Sequence, residues 1–352
     1  MRSAKVLITG AFGLVGCETV RRFAADGWQV VATSHRKAEG LPPGVQIRRV
    51  DLSEPDQVDA MVGEVAPDVI VHLAAVIPPL VYLDRALARR VNVDATAAVV
   101  RAAERQPNPP RLLHASSVAI YGSRNPHHCT DLLGVDTPIR PSELYGGHKA
   151  EAEHIVRSST LDWVILRLGG VLSVDPSAMP FSKDIVYFGS AIPSDCRVHC
   201  VDTRDVATAF AAATHADVVG QILLIAGDDS LRLLHGEIGT AMAAAQGMVG
   251  ILPQSRPGDP NNDDDWYLND WMDVARAQEL LGFQRHSWPD MLAEMRATTG
   301  WKRYPRRLVA PLVRQILKGQ GAYRKSPGSY ADVRTALRAG FGDTAMDTAS
   351  AE

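Results

Sequence analysis

The sequence predicts an α/β protein with a doubly wound parallel sheet and a smaller lobe after it. Two observations support this fold class. Short apolar runs bounded by turn residues alternate with helical stretches through the first half of the chain, as in successive βαβ units. A glycine-rich turn directly follows the first apolar run. Because ligands of such sheets bind beyond the carboxyl ends of the strands, the residues that follow each strand are the candidate site residues.

The alternation of strands and helices runs to about residue 169. Six apolar runs predict strands, at Val6–Thr9, Gln29–Thr33, Val45–Val50, Val69–Ala75, Arg111–Ala115 and Trp163–Leu168. Four stretches between them predict helices, at Leu14–Ala25, Pro55–Val65, Ala86–Glu104 and Glu143–Ser158.

Three glycines, spaced three residues apart, follow the first predicted strand. Gly10 lets the chain reverse, Gly13 lets the backbone approach a pyrophosphate, and Gly16 lets helix and strand pack closely. Backbone N–H groups at the positive helix end would bind the phosphates of a dinucleotide. The predicted cofactor contacts in this turn are Gly10, Ala11, Phe12, Gly13, Leu14, Val15 and Gly16. The motif alone is equally consistent with a turn that binds nothing.

The end of the second predicted strand bears on which dinucleotide is bound. An NAD-preferring site usually has an acid here, whereas this chain has Ser34, His35 and Arg36. A hydroxyl and a guanidinium would bind the 2′-phosphate that an acid repels. We therefore predict that these three residues contact the cofactor and that NADP is favoured over NAD. The alternative is a basic surface loop.

Two further strand ends supply candidate cofactor contacts. Asp51 and Leu52 are placed to bind the adenine, although Asp51 could equally cap the following helix. The small residues after the fourth strand would let the backbone pass close to the ribose and the nicotinamide. These candidates are Leu73, Ala74 and Ala75.

The catalytic candidates are a serine, a tyrosine and a lysine. Ser117 follows the fifth strand, and the four-residue spacing of Tyr145 and Lys149 puts both on one helix face. A tyrosine ionises near pH ~10, and an ammonium beside it, together with a positively charged nicotinamide, stabilises the phenolate and lowers that pKa. Ser117 would orient the substrate oxygen. We predict this triad because it follows a glycine-rich turn and a strand-end serine in the expected order.

Taken together, these motifs resemble the extended short-chain dehydrogenase/reductases, also called NAD-dependent epimerase/dehydratases. The resemblance runs from Lys5 to about Trp301. It implies a Rossmann-type fold, with Ser117, Tyr145 and Lys149 as the catalytic triad and Lys149 also binding the nicotinamide ribose. Other matching segments are Asp51-Leu52, His72-Leu73-Ala74-Ala75, Asn92-Val93, Ser116-Ser117-x-x-x-Tyr121-Gly122, Val201-Asp202-x-x-Asp205-Val206-Ala207 and Leu281-Gly282-Phe283.

The remaining candidates follow the fourth, fifth and sixth strands. Cofactor contacts are predicted at Ala115, Tyr145, Lys149, Leu168, Gly169 and Val171. Substrate contacts are predicted at Val76, Ser117, Val118 and Gly170.

Two departures from the family pattern narrow the reaction. Val118 and Ala119 stand where sugar-nucleotide dehydratases of this family carry two acids, so the acid–base pair for eliminating water is missing. After the sixth strand many sugar-nucleotide members have an asparagine and a Tyr-Gly-Pro sequence, whereas this chain continues Arg167-Leu168-Gly169-Gly170-Val171. Both departures argue against dehydration and against a nucleotide-sugar substrate.

The predicted function is an NAD(P)-dependent oxidoreductase that transfers hydride at a hydroxyl or carbonyl carbon of a small molecule. A sugar epimerase is the enzymatic alternative, since it uses the same oxidation and returns the hydride to the opposite face. A non-catalytic dinucleotide-binding sensor or scaffold is an alternative of another class.

Three regions are predicted along the chain. Residues 1–169 form mainly the dinucleotide-binding core, and residues 170–301 mainly the substrate lobe, with 205–226 returning to the core. Residues 302–352 form a basic amphipathic extension, in which Pro311 argues against a long regular helix, and a disordered tail from Asp343. The segment 303–318 could dock on its own domain or a sister subunit, or lie on an anionic membrane.

Composition limits the partners. A net charge of -3 gives no reason to expect nucleic-acid binding. With no signal peptide, no long apolar run and four cysteines in no obvious disulfide framework, we expect a cytoplasmic protein. No metal is expected, because the run His127-His128-Cys129 lacks a second ligand cluster. A homodimer through Ala86–Glu104 and Glu143–Ser158 is a family expectation only.

Overall fold

The computed structural model describes residues 3–35, 40–178, 182–324 and 326–347. The strands in these ranges are β1 (Lys5–Thr9), β2 (Gln29–Ser34), β3 (Gln46–Arg49), β4 (Val69–His72), β5 (Arg111–Ser117), β6 (Trp163–Leu168), β7 (Gly170–Leu172), β8 (Arg197–Asp202), β9 (Ile222–Ile225) and β10 (Arg232–Leu234).

The helices in the same ranges are α1 (Gly16–Ala25), α2 (Pro55–Val65), α3 (Leu80–Leu83), α4 (Arg85–Arg89), α5 (Ala95–Glu104), α6 (Leu144–Arg157), α7 (Lys183–Ala191), α8 (Thr203–Ala213), α9 (His235–Ala245), α10 (Ala275–Leu281), α11 (Trp288–Thr299), α12 (Arg303–Lys318) and α13 (Val333–Phe341). None of these described helices is long and apolar enough to cross a membrane.

The main sheet has seven parallel strands in the order β3-β2-β1-β4-β5-β6-β9. The reversal of direction at β1 makes the sheet doubly wound and confirms the predicted Rossmann-type fold class. One apolar cluster on the sheet includes Phe23 and Phe210, and another includes Met61 and Val99, so both layers of helices bury their apolar sides.

The second, smaller sheet has three strands in the order β10-β8-β7. It begins directly after β6, because only Gly169 separates β6 from β7. The chain then returns to the main sheet: α8 packs against α1, and Ile222 of β9 is the register partner of Ile165 in β6.

Three local features differ from the sequence expectation. The predicted helix Ala86–Glu104 is α4 and α5 joined by a π-helical turn at Arg90–Asp94. Pro311 does not interrupt α12, which is continuous over its 16 residues. The expectation of a disordered tail from Asp343 is wrong for residues 343–347, which lie against α6, while 348–352 fall outside the described residues.

Candidate active site

In the glycine-rich turn, Gly10 and Gly16 pack directly against neighbouring backbone atoms. Gly10 has φ +67°, and a side chain there would place its Cβ 2.8 Å from the Ala74 nitrogen. A Cβ at Gly16 would overlap the Gly10 carbonyl oxygen, so the start of α1 packs against the strand end. Gly13 is exposed, and a Cβ there would meet only the Gly10 oxygen, at 3.2 Å. The outer side of the turn is therefore free for the close approach of a phosphate.

The helix after this turn presents its positive end to the same place. α1 begins at Gly16, two residues after the predicted start at Leu14, and Val15 precedes it without a side-chain cap. Ala11 is buried, and Phe12 and Val15 pack against the core cluster that contains Phe23. These side chains fix the turn while its backbone faces outward, which is the arrangement that a pyrophosphate requires.

The end of β2 lies at the edge of the same site. Ser34 is half-buried and is the register partner of Arg49 in β3, and His35 is exposed. Arg36, the third residue predicted here, falls outside the described residues.

Asp51 forms a turn of its own. Its carboxylate accepts hydrogen bonds from the Ser53 nitrogen at 2.9 Å and the Ser53 hydroxyl at 2.7 Å. These bonds hold the pKa of Asp51 below its usual value. The carboxylate is exposed, whereas neighbouring Leu52 packs against the core cluster that contains Met61. Both bonds lie before α2, whose N-cap is Glu54 without a side-chain cap bond, so the alternative that Asp51 caps this helix is wrong. An adenine contact of Asp51 stays a prediction.

The catalytic candidates converge at the ends of β5 and α6. Ser117 ends β5, and its hydroxyl accepts from the Ala119 nitrogen at 3.2 Å. Lys149 is buried; its Nζ donates to the Ala115 carbonyl at 2.7 Å and lies 5.8 Å from the Tyr145 ring centroid. The Ser117 hydroxyl neighbours Tyr145 and favours a lower pKa of its phenol. The three side chains thus form one group.

Burial dominates the titration of this group. Burial raises the pKa of Tyr145 above its ordinary value of 10.0, although the neighbouring Ser117 hydroxyl opposes that shift. Burial also lowers the pKa of Lys149 to about 8, with Glu153 opposing. Among the protein's own groups desolvation thus has the larger effect on Tyr145, and the lowering of its pKa by Lys149 together with a bound nicotinamide stays a prediction.

A buried acid caps the catalytic helix, and sequence analysis missed it. Glu143 is 7% exposed, and its carboxylate accepts from the Tyr145 nitrogen at 2.8 Å and the Gly146 nitrogen at 2.5 Å. The Tyr82 hydroxyl donates to it at 2.8 Å. Burial raises its pKa to about 7. Its position as the first residue of the predicted helix was the signal that could have identified it as the N-cap.

A buried ion pair lies below the triad, and sequence analysis missed it as well. Glu153 and Arg167 are each 2% exposed and form two parallel bonds of 2.9 and 2.7 Å. The Ser116 hydroxyl donates to Glu153, and Arg167 donates to the Tyr121 hydroxyl at 2.6 Å. Because Glu153 lies four residues after Lys149, the same helical spacing that pairs Tyr145 with Lys149 could have indicated this third position.

Two stacked histidines lie close to Lys149. The rings of His72 and His114 are 5.6 Å apart. Burial and, secondarily, the Lys149 charge lower the pKa of His72 to about 3 and that of His114 well below its usual value. Both rings are therefore neutral, and Lys149 carries the positive charge of this part of the site.

The segment after β4 is held from behind by the π-helical turn. Asn92 accepts from the Val76 nitrogen at 2.7 Å and donates to the Val76 carbonyl at 3.0 Å. Ala74 donates from its nitrogen to the Thr9 hydroxyl at 3.3 Å. The backbone of Leu73, Ala74, Ala75 and Val76 is thereby fixed between the glycine turn and the catalytic helix.

The candidates after β5 and β6 differ in how far they are buried. Leu168 is buried, and a Cβ at Gly169 would overlap the His199 carbonyl oxygen, so the chain passes there without room for a side chain. Gly170 and Val171 are half-buried in β7. Val118 is 3% exposed and packs in a cluster of buried residues with Ile120 and Leu224. Its substrate contact stays a prediction.

The side chains that could bind a metal ion are scattered over the described part of the chain. Within these ranges, no three histidine, cysteine or acidic side chains are grouped as ligands of one metal ion. His128 of the run His127-His128-Cys129 instead bonds Asp263 at 2.7 Å between two exposed loops.

A sequence model of the NAD dependent epimerase/dehydratase family matches residues 6–226, from β1 through β9. The match contains the glycine turn, the end of β5 with Ser117, and α6 with Tyr145 and Lys149. The chain belongs to this family.

Two curated relatives and one solved structure illustrate its neighbours. The chain is 33% identical over 201 residues to D-erythronate dehydrogenase of Cupriavidus necator, covering 51% of the chain and 60% of that protein. It is 30% identical over 191 residues to methionine adenosyltransferase 2 subunit beta of Bos taurus, covering 53% and 54%. The chain thus spans less than two thirds of these relatives.

The solved structure is the UDP-glucose 4-epimerase of Thermus thermophilus in complex with NAD. It superposes with a TM-score of 0.68 at 23% identity and covers 84% of this chain and 98% of its own. Identity this low establishes the shared fold. The fold and the family together support a nicotinamide dinucleotide as the cofactor.

Proposed function

We propose that the protein is an NAD(P)-dependent oxidoreductase that interconverts a hydroxyl and a carbonyl group on a small molecule. The observation that carries the proposal is the convergence of Ser117, Tyr145 and Lys149 beside the glycine turn. Family membership supports it, and so does the similarity to a protein named as a dehydrogenase.

The chemistry assigns one task to each residue. The nicotinamide ring supplies or accepts the hydride when bound. Tyr145 gives a proton to the carbonyl oxygen in reduction, or takes one from the hydroxyl in oxidation. Ser117 orients that oxygen, and Lys149 binds the nicotinamide ribose. At neutral pH the phenol of Tyr145 carries the proton that it would donate in reduction.

The glycine turn and the strand ends would hold the cofactor. The close packing at Gly10 and Gly16 and the open side of Gly13 fit a pyrophosphate. We assign the dinucleotide contacts predicted from the sequence to this surface. Residues 170–301 are assigned to the substrate lobe, apart from β9, which is a strand of the main sheet, and α8, which packs against α1.

For the cofactor, we propose NADP in preference to NAD. Ser34 in place of an acid and the neighbouring Arg49 support NADP, whereas the solved relative is described with NAD. Titration of NADPH and NADH by fluorescence would compare the wild type with Arg36→Ala, using Arg48→Ala as a control for charge. We expect Arg36→Ala to bind NADPH more weakly than the wild type and Arg48→Ala to bind it as the wild type does. If Arg36→Ala binds NADPH as tightly as the wild type, Arg36 does not contact the cofactor.

The substrate we propose is a small compound without a diphosphate. Diphosphates are usually bound by arginine or lysine, yet Arg197, Arg232 and Arg256 of the lobe are already engaged. Arg197 donates to the Cys129 carbonyl at 2.9 Å, and Arg232 pairs with Asp229 at 3.2 Å. Arg256 donates to backbone carbonyls of the C-terminal extension, including that of residue 326 at 2.7 Å.

The surroundings of the catalytic tyrosine support the same substrate class. Tyr145 packs in a cluster with Val76, Tyr82, Phe188 and Tyr267, all of which are apolar or aromatic. Uncharged carbonyl compounds fit this environment better than a sugar diphosphate does.

The decisive experiment compares Tyr145→Phe with the wild type. We expect NAD(P)H binding to persist, while turnover of a substrate found in a panel of carbonyl compounds falls about 10²- to 10⁴-fold. The panel includes UDP-glucose and a free sugar acid. Unchanged turnover would contradict the proposed role of Tyr145. Binding of the cofactor without turnover of any compound would favour the scaffold alternative, for which the similarity to an enzyme subunit is the motivating observation.

An epimerase is the second candidate, because solved relatives of this fold are described as epimerases. It would retain its cofactor through the catalytic cycle. A dinucleotide that co-purifies and does not exchange with added NADPH would support epimerase activity, whereas rapid exchange would support the reductase.

A homodimer through the predicted helical surface remains a proposal with one structural complication. The tail covers part of α4 and α6: Arg85 donates to the Asp347 carboxylate at 2.8 Å, and His148 lies 3.0 Å from it. We propose that a dimer on this face requires the tail to move. Light scattering of the full chain and of a chain ending at residue 342 would test this, with more dimer expected in the shorter chain.

A further inference from the structure

The C-terminal helix α12 is attached to the protein by one face only. Ala310 and Leu317 are each 5% exposed, and Val313 is half-buried beside them. They pack against Val186 of α7 and Ile251 in a small apolar cluster. The docking expectation for this segment is therefore met within its own chain, and the cluster accounts for one side of the helix.

The opposite face of α12 is apolar and exposed. The side chains on it recur every three or four residues and are 73%, 56%, 83%, 66% and 60% exposed. This spacing places them on one side of the helix. We call them the outer stripe: Tyr304, Leu308, Leu312 and Ile316 of α12, together with Trp301 in the 3₁₀ turn Gly300–Lys302 that leads into the helix. Val309, 48% exposed, lies at its margin.

Basic side chains flank the outer stripe, and the surrounding sequence contains no acidic residue. Arg307, Arg314 and Lys318 are exposed and fall together on one flank of it by helical spacing. Among the described residues, none of the three forms an ion pair within 4.0 Å. The sequence from 296 to 325 contains nine basic residues and no acid: Arg296, Lys302, Arg303, Arg306, Arg307, Arg314, Lys318, Arg324 and Lys325.

We propose that the outer stripe is a docking surface for an anionic lipid bilayer. A helix that lies in a membrane interface combines an apolar face, a basic flank and aromatic residues at its end. Here Trp301 and Tyr304 stand at the start of the stripe, and the basic flank would contact lipid phosphates. A helix of 16 residues with this many charges lies on a bilayer and does not cross it.

The charge and apolar pattern favours lipid over two other partners. A nucleic acid would engage the cations but leave the outer stripe in water. A second copy of the chain, meeting this face with its own identical basic flank, would bring like charges together and find no acid there to pair with them. An anionic bilayer accommodates the apolar stripe and the cations at once. The proposal concerns a surface distant from the triad in sequence and does not rest on the proposed enzymatic function.

The test is co-sedimentation of the full chain with vesicles. Vesicles of phosphatidylcholine with phosphatidylglycerol are compared with phosphatidylcholine alone, at low and high salt. The stripe variant is Leu308→Ser/Leu312→Ser/Ile316→Ser, and the charge variant is Arg307→Gln/Arg314→Gln/Lys318→Gln. The matched control, Val219→Ser/Val249→Ser, alters aliphatic residues that are 40% and 58% exposed elsewhere.

We expect salt-sensitive binding to the anionic vesicles only. The charge variant should bind roughly 100-fold more weakly, since each of its three basic residues near an anionic surface contributes a factor of about five. The stripe variant should lose binding, and the control should keep it. Trp301 fluorescence should shift to the blue with the anionic vesicles, and Trp301→Phe should abolish that shift.

Three results would overturn the proposal. Binding that the stripe variant retains would exclude the stripe as the contact. Absence of vesicle binding together with a dimer that Leu308→Ser dissolves would assign the face to a second copy. If the protein is a monomer and does not bind vesicles, the outer stripe is not a docking surface for a bilayer. All variants change exposed residues, so circular dichroism and NAD(P)H titration should show unaltered folding.

Discussion

Helices α6 and α12 both carry many charged residues, yet they use them in opposite ways. On α6 the side chains of Lys149 and Glu153 are almost fully buried, and each has a partner inside the protein. On α12 Arg307, Arg314 and Lys318 face water, and the outer stripe is exposed beside them. The charges of α6 are committed to internal geometry, whereas those of α12 are available to an external partner.

This difference has a thermodynamic basis. A charge buried on α6 loses its hydration and must regain that free energy from hydrogen bonds and ion pairs, so its position is tightly fixed. An apolar side chain exposed on α12 loses nothing in the folded protein but gains free energy when a partner covers it. A catalytic site requires the first arrangement, and a reversible docking surface requires the second.

Breaking the buried ion pair below α6 should have the largest effect on stability. Arg167→Met leaves the Glu153 carboxylate buried without its cation, and removal of one partner of such a pair typically costs about 3–5 kcal/mol, so we expect a loss of that size. Urea unfolding measures the loss.

The matched control replaces both partners. Glu153→Leu/Arg167→Met removes both charges and should recover most of the lost stability, because two apolar side chains require no compensation. A single variant within about 1 kcal/mol of the wild type would mean that the pair is not buried as described.

The two faces of α12 should respond differently to the same substitution. Leu317→Ala removes a buried side chain, 5% exposed, and should lower the free energy of unfolding by about 2–4 kcal/mol. Leu308→Ala, at 83% exposure, should stay within about 0.5 kcal/mol of the wild type. Thermal and urea unfolding of both variants in the absence of lipid provide the measurement. Equal losses would show that the outer stripe is covered within the chain.

Glu143 should make the stability of the catalytic helix depend on pH. Its pKa of about 7 in the folded protein exceeds the ordinary 4.5, so the folded state holds a proton that the unfolded chain has released between these values. The free energy of unfolding therefore falls as pH rises through this window, by up to about 1.4 kcal/mol per pH unit, and the contribution is lost above it.

The variant Glu143→Gln isolates this contribution. Its amide does not titrate, so the difference in unfolding free energy between the two proteins should change between pH 4.5 and about 7 and then level off. Other groups, including His72 and Lys149, cancel in that difference. Parallel curves across the window would show that Glu143 is ionised in the folded protein as it is in the unfolded chain.

Much of the fold was predictable because local patterns encode it. β6 and α2 have the predicted bounds, and the other predicted core strands differ by at most a few residues at their ends. The spacing of Tyr145 and Lys149 likewise fixed their common helix face. The partners of these residues were harder to predict, since Glu153 and Arg167 are 14 residues apart and meet only because α6 packs beside β6.

Burial is the effect that local sequence patterns did not convey. Among the protein's own groups desolvation raises the pKa of Tyr145, so the lowering expected from Lys149 and a bound nicotinamide stays a prediction. Val118 follows a strand end, as substrate contacts do, and its side chain is 3% exposed among other buried residues, so its substrate contact also stays a prediction. The tail from Asp343 looked disordered by composition, but Arg85 and His148 bind it.

The sequence by itself determined the order of strands and helices, the glycine turn and the positions of Ser117, Tyr145 and Lys149, because periodicity and short spacings act within a single element. Only the tertiary structure decided which charges are buried with partners and which face of α12 stays exposed. Burial is a property of the packed molecule: two helices with similar residues differ in function according to what covers them.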